Sequence, residues 1–246
     1  MYELGIVGGM GPEATAEIFR RIIAFTAASC DQEHISMCIL NKPRIASRTD
    51  YVLSGGENPL QTISQSIDEL VMLGVRNFII PCNTSHVFSE AFSRRSEIAF
   101  VDMIKATMNH VRKRFANRRT CILATQATAA LNLYGDTETG EGPSVFYPDQ
   151  KSQEELMDII SSIKGKAEPL RESRSRLIRV MKKLWKNEID CIFIIACTEL
   201  SVAMAGFTAR GIHYVDALDV LAVTAIEKCG YKVDERTLSA YMRETP

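Results

Sequence analysis

The feature that most restricts how this chain can fold is an internal echo. Apolar stretches leading into IVGGMG, then IIPCNTSH, then FVDM occur in the first half, and ILATQAT, IIACTELS and YVDA follow in the same order in the second. Cys82 and Cys197 lie 115 residues apart, Asp102 and Asp216 lie 114 apart, and Gly8 and Thr125 lie 117 apart. Three landmarks in nearly one register point to a duplicated unit. Short β-branched runs near 3–8, 35–41, 76–81, 119–124, 144–147 and 190–196 alternate with stretches apolar at every third or fourth position, at 12–29, 58–74 and 173–188. That alternation belongs to βαβ units around a parallel sheet. The expected fold is α/β, with two pseudosymmetric domains, each a mostly parallel sheet flanked by helices. Their cleft should carry the site, because open parallel sheets bind ligands at strand carboxyl ends. FVDM and YVDA then serve as crossing points, giving a first domain of 1–102 plus 216–246 and a second of 103–215.

Composition removes several function classes. With 29 Lys and Arg against 30 Asp and Glu, the formal charge is -1, so no general field attracts nucleic acid or an anionic membrane. A charged ligand must be held locally. The most apolar run around a cysteine, CIFIIAC at 191–197, falls far short of the roughly 20 residues a membrane span needs. The opening MYELGIVGG passes into a glycine loop with no basic segment and apolar core before it, so a cytoplasmic chain is expected. Seven cysteines without CxxC spacing read as free thiols rather than metal ligands or a disulfide scaffold. The polar stretch GDTETGEGPS at 135–144 reads as a surface loop and a candidate lid.

Cys82 and Cys197 each end an apolar strand and are each followed by polar residues, Asn83, Thr84 and Ser85 in one case and Thr198 and Glu199 in the other. A lone cysteine at such a place is usually a small buried hydrophobe. Two at matched positions of a repeat would flank a ligand in the cleft. Opposed thiols suit removal of a proton from one face of a carbon and delivery of another to the opposite face, one sulfur acting as thiolate base and the other as thiol acid. A cysteine nucleophile would instead need a histidine base, and His86, four residues after Cys82, keeps that option open while leaving Cys197 without a role.

The loop GGMGPEA at 8–14 offers helix-N-terminal amides to an anion and loosely fits a dinucleotide fingerprint. The second strand, however, ends in Asn41 and Lys42 rather than in the ribose-holding acid such a site requires. Arg44 and Arg48 could clamp a carboxylate. Lys164 sits near a helix end, where lysine is routine. Asp102 and Asp216 read as hinge or capping residues, and His34, His110, His213 and Trp185 as structural.

The segments GGMGPEATAE, CDQEH, SRTDYVL, PCNTSH, LATQAT, SQEELMDIISSIK and ACTELSV, in this order across nearly the whole chain, resemble the cofactor-independent aspartate/glutamate racemases, and within them the aspartate racemase branch. The resemblance implies a two-domain pseudosymmetric fold, no cofactor and no metal, a homodimer, and Cys82 and Cys197 as the proton-transfer pair. It further implies that Asn83, Thr84, Thr125 and Thr198 hold the substrate's α-carboxylate and ammonium and that Met10 shapes the pocket. Arg48 and Lys164 then supply cations for the carboxylates, and Glu199 tunes the second cysteine. Two positions depart from that branch, Ser47 in place of an acid and Ile160 in place of a tyrosine, and both are expected at the pocket. The expected activity is interconversion of L- and D-aspartate, or glutamate. An isomerase or decarboxylase of a non-amino dicarboxylate, of maleate or malonate type, is the alternative.

Overall fold

A computed structural model of the chain describes residues 2–115, 118–135, 143–187, 191–207, 209 and 211–242. The candidate lid stretch 135–144 lies largely outside them, since 136–142 are not described. Eight strands are arranged as two four-stranded, all-parallel sheets. The first contains β1 (Leu4–Gly8), β2 (Met37–Asn41), β3 (Asn77–Ile79) and β4 (Ala99–Phe100), ordered β2-β1-β3-β4. The second contains β5 (Thr120–Ala124), β6 (Val145–Phe146), β7 (Ile192–Ala196) and β8 (Tyr214–Asp216), ordered β6-β5-β7-β8. The starts of β5, β7 and β8 follow those of β1, β3 and β4 by 116, 115 and 115 residues, so the echo in the sequence is an echo in topology. FVDM and YVDA, read from sequence as crossing points, also contribute the short edge strands β4 and β8. Two and three residues are too few to leave an alternation that sequence patterning can find.

The helices are α1 (Pro12–Phe25), α2 (Arg48–Ser54), α3 (Leu60–Met72), α4 (Ser89–Ser93), α5 (Met103–Phe115), α6 (Gln126–Ala130), α7 (Gln150–Gly165), α8 (Leu170–Asn187), α9 (Thr198–Met204), α10 (Ala217–Lys228) and α11 (Glu235–Met242). Local chemistry sets their starts. α1 opens on Pro12 with Glu13 in its first turn, a fixed φ and a negative charge where the helix dipole favours both. Ser47, Thr125 and Asp149 cap α2, α6 and α7 through side chains that accept from Asp50 N–H, Thr128 N–H and Ser152 N–H, which satisfies donors the helices leave open.

Strand alternation sorts side chains into cores. Leu4, Ile6, Ile79, Ile122, Ala124, Ile192 and Ile194 join α1, α5 and α10 in one cluster that unites both sheets. The opposite parity faces outward on each sheet. Phe78, Ile80 and Cys82 pack with α3 residues Ile63, Ile67 and Leu70, and Phe193, Ile195 and Cys197 pack with Leu156, Ile159, Leu177 and Met181 of α7 and α8. Each cysteine therefore continues an i, i+2 row on equivalent faces of equivalent strands. After β8 the chain returns to α1. α10 packs against α1 and α5, Thr26 bridges Val233, and the Ala27 N–H donates to the Lys232 carbonyl at 2.9 Å.

Candidate active site

Both thiols stand just past a central strand. β7 is buried along its length and runs directly into Cys197, the N-cap of α9. β3 is shorter. Two residues, Ile80 and Pro81, separate it from Cys82, whose N–H donates to the Ile80 carbonyl at 2.8 Å ahead of a 3-10 turn over Thr84–Phe88. Although 6% and 3% exposed, Cys82 and Cys197 line one cavity of about 200 Å³. The same cavity collects Met10, Arg48, Asn83, Thr84, Thr125, Lys164, Thr198 and Glu199, the residues that the family resemblance implied around the substrate. Ile45, Ser47, Thr49 and Ala196 complete the wall.

Not all expectations are met. Arg44 is exposed and absent from the wall, and Ile160 is 2% exposed within the α7 and α8 core. Ile160 was expected at the pocket, but it sits on the helix face turned inward, in the row with Leu156, Ile159 and Ile163. Ser47 does reach the cavity, and its hydroxyl also caps α2, holding Arg48 at the first helical position. The glycine loop contributes Met10 to the cavity, but its Gly9 N–H is committed to Thr15 Oγ1 at 2.9 Å rather than free for an anion. Gly9 has φ +96°, and a Cβ there would lie 2.3 Å from the Lys42 carbonyl carbon, so only glycine lets the two loops approach this closely.

Charges meet around Cys197. Its Sγ donates to Glu199 Oε2 at 3.1 Å, and Lys164 Nζ pairs with Glu199 Oε1 at 3.5 Å. Burial pushes the Cys197 thiol well above its ordinary pKa. The Glu199 charge and hydrogen bond push it the same way, and Lys164 pulls back more weakly. Cys197 thus keeps its proton at neutral pH. Burial lowers the Lys164 pKa, but Glu199 and the two sulfurs, Cys197 and Cys82, outweigh it, so the ammonium stays charged. Arg48, Lys164 and Glu199 together leave one positive charge in excess at the cavity.

Two donors there are unspent. Arg48 places Nη1 on the Ala46 carbonyl and Nη2 on the Met10 carbonyl, each at 3.1 Å, which leaves the buried Nε without a partner among the described residues. Asn83 accepts at Oδ1 from the Tyr134 hydroxyl, and its buried Nδ2 likewise has none. Unsatisfied buried donors are uncommon in folded proteins, and both suit carboxylate oxygens. Beside them Thr84, Thr125 and Thr128 form a triangle of hydroxyls at 3.0, 3.0 and 3.1 Å.

His86 is spoken for elsewhere. Its Nε2 accepts from the Met103 N–H at 3.1 Å, which leaves the proton on Nδ1, 2.9 Å from the Cys82 carbonyl oxygen. Burial lowers its pKa despite Asp102 nearby. A neutral imidazole bound to backbone at both nitrogens has no free nitrogen to take a thiol proton. Asp102 caps α5, accepting from Ile104 N–H and Lys105 N–H, and Asp216 caps α10 through Leu218 N–H. Among the described residues, no group of three or more His, Cys, Asp or Glu could hold a metal ion, and no helix is long and apolar enough to cross a membrane.

Three buried polar residues escaped the sequence reading. Thr128 could have been found as the partner, three residues on, of the N-cap Thr125. Tyr134 and Arg21 left little local signal: Asn83 lies 51 residues from Tyr134, and of the partners of Arg21 only Glu17 is near, Ser201, Asp216 and Asp219 lying 180, 195 and 198 residues away.

A cavity between matched parallel sheets, with paired thiols and unspent carboxylate donors, defines an α/β enzyme site for a small anion. A family model described as Asp/Glu/Hydantoin racemase matches residues 7–225. The chain belongs to that family. An aspartate racemase from Picrophilus torridus is similar over 98% of this chain and 100% of its own, with a TM-score of 0.85 at 26% identity. A glutamate racemase from Bacillus anthracis shares the fold, with a TM-score of 0.60 at 15% identity over 92% of this chain and 79% of its own. The broad specificity amino-acid racemase RacX of Bacillus subtilis (strain 168) is 23% identical over 233 residues, 91% of this chain and 96% of that protein.

Proposed function

We propose that this racemase interconverts L- and D-aspartate, or glutamate, by 1,1-proton transfer between Cys82 and Cys197 without a cofactor. In one direction the Cys82 thiolate takes the α-proton. The C–H pair is left on a planar carbanion delocalised into the carboxylate, and the Cys197 S–H gives its proton to the opposite face. The products are the inverted amino acid, a Cys82 thiol and a Cys197 thiolate, and reversal exchanges the roles. Arg48 Nε and the threonine hydroxyls meet the charge that grows on the carboxylate oxygens, and Asn83 Nδ2 holds the α-carboxylate in ground and transition states alike. Lys164 lies within electrostatic reach of both sulfurs, so its ammonium favours whichever is the thiolate.

The observation that carries this reading is the shared cavity, with a thiol from each half and two side-chain cations, Arg48 and Lys164. Aspartate and glutamate bring two carboxylates to those cations, whereas neutral amino acids bring one. Glu199 and the threonine oxygens can accept from an ammonium, which weighs against the maleate or malonate alternative. The Thr26–Val233 bridge and the packing of α11 on α1 support a first domain of 1–102 plus 216–246 and a second of 103–215. The same reading extends to a cytoplasmic homodimer, checked by light scattering. The direct test is deuterium entry at the α-carbon of L- and D-aspartate and glutamate in D₂O. Enzyme-dependent exchange with inversion is expected, and its absence with all four substrates would overturn the assignment.

A further inference from the structure

We propose that Tyr134 is a positioning residue, whose hydroxyl locks the Asn83 carboxamide with its NH₂ toward the cavity and so makes that wall read an α-carboxylate. Tyr134 is 0% exposed and Asn83 3% exposed. Tyr134 follows α6 in the second half, and Asn83 follows Cys82 in the first. The hydroxyl donates to Asn83 Oδ1 at 2.5 Å, and Asn83 Nδ2 is left buried and unpartnered in the cavity wall.

A carboxamide presents donors on one side and an acceptor on the other, and the two orientations differ little in shape. Without an anchor, Asn83 could turn its oxygen inward and repel a carboxylate. Burial, first of all, holds the Tyr134 pKa well above that of free tyrosine, so the phenol keeps the proton that it donates to Asn83 Oδ1. The ring needs no contact with substrate. It fixes the polarity of a residue from the other half, so the carboxylate wall is complete only when both halves are together.

This rests on the proposed racemase reading for its substrate but concerns the α-carboxylate, which every amino acid carries. The test is a double-mutant cycle with Tyr134→Phe and Asn83→Ala, read as KM and kcat for an exchanging amino acid and, independently of turnover, as Kd for succinate by calorimetry. Tyr134→Phe should raise KM and the succinate Kd about 10-fold, with kcat changed less than about 3-fold, because the contact is made in ground and transition states alike. In the Asn83→Ala background the same change should do almost nothing, the signature of action through Asn83. Equal effects in both backgrounds, or an unchanged KM in Tyr134→Phe, would overturn the proposal. Tm for all four proteins separates a folding loss from a binding loss. Succinate binding with a coupled cycle but no exchange would retain Tyr134's role and sink the racemase reading; neither binding nor exchange would sink both.

Discussion

The two halves share a strand order but set their thiols in unlike surroundings. Cys197 follows a five-residue strand, caps a helix and donates its S–H to Glu199. Cys82 follows a three-residue strand and Pro81, which brings no N–H to the ladder, and its neighbours Ser85 and His86 bind its carbonyl rather than its sulfur. Duplication therefore supplies two matched sulfur positions, and local divergence makes one of them a held acid. The carboxylate at Glu199 and its lysine partner have no counterpart after Cys82, where Thr84 and Ser85 stand instead. On the proposed mechanism, a symmetric frame would give access to both faces of a carbon, and asymmetry at the sulfurs would decide which proton is in place before substrate arrives.

The sharpest way to break this comparison is to remove each sulfur. Cys82→Ser and Cys197→Ser should each lower racemisation by about 10³-fold or more, since a serine hydroxyl is a far weaker acid and base at neutral pH. Racemisation that survives in either variant would refute the idea that both are needed. Arg48→Met should follow, raising KM for aspartate roughly 10- to 100-fold, because it deletes a charged donor and frees the Met10 and Ala46 carbonyls it holds. An unchanged KM would place carboxylate recognition elsewhere.

Glu199→Gln tests the asymmetry itself. Glu199 helps raise the Cys197 pKa, so removing its charge should lower that pKa. The alkaline limb of kcat/KM, where Cys197 loses the proton it must donate, should move to lower pH, and alkylation of Cys197 by iodoacetamide should speed up at neutral pH. Turnover should fall on the order of 10-fold. A limb that stays in place would mean that burial alone sets this thiol.

The frame was legible in the sequence because its signals are local. Five-residue apolar strands, Pro12 opening a helix and the 115-residue repeat each lie within a window that periodicity or self-comparison can scan. Both cysteines and the two polar residues after each of them line the cavity, since strand ends and the loops after them converge in parallel sheets. What stayed hidden depends on distant partners. Ile160 was misplaced because one helical turn decides between the core and the cavity. Tyr134 and Arg21 resemble any tyrosine or arginine on a helical stretch until the fold brings Asn83, Asp216 and Asp219 to them.

Arg21 marks where the carboxyl-terminal return is tied to α1, and it gives the smallest effect and the subtlest test. It is 1% exposed on α1 and reaches Asp216 and Asp219 at 2.8 and 2.7 Å, Glu17 at 2.7 Å and the Ser201 carbonyl of α9 at 2.8 Å. One cation thus faces three carboxylates, and burial, opposed by Arg21 and joined by Asp216, pushes the Asp219 carboxyl up to about 7. In the unfolded chain this carboxyl titrates near its ordinary value of 3.8. Between those two values the folded state holds a proton that the unfolded chain has released, so this contribution to stability is present at low pH and lost as pH rises toward 7. Asp219→Asn keeps a neutral side chain throughout. Near pH 3.5, below both values, its Tm should match that of the parent protein, and by pH 8 it should exceed it by at least about 2–4 °C, roughly 1 kcal/mol or more for a chain of this size. A Tm difference that does not change with pH would show Asp219 ionised alongside Arg21, and the tie of α10 to α1 would then be an ordinary ion pair rather than one that loosens as pH rises.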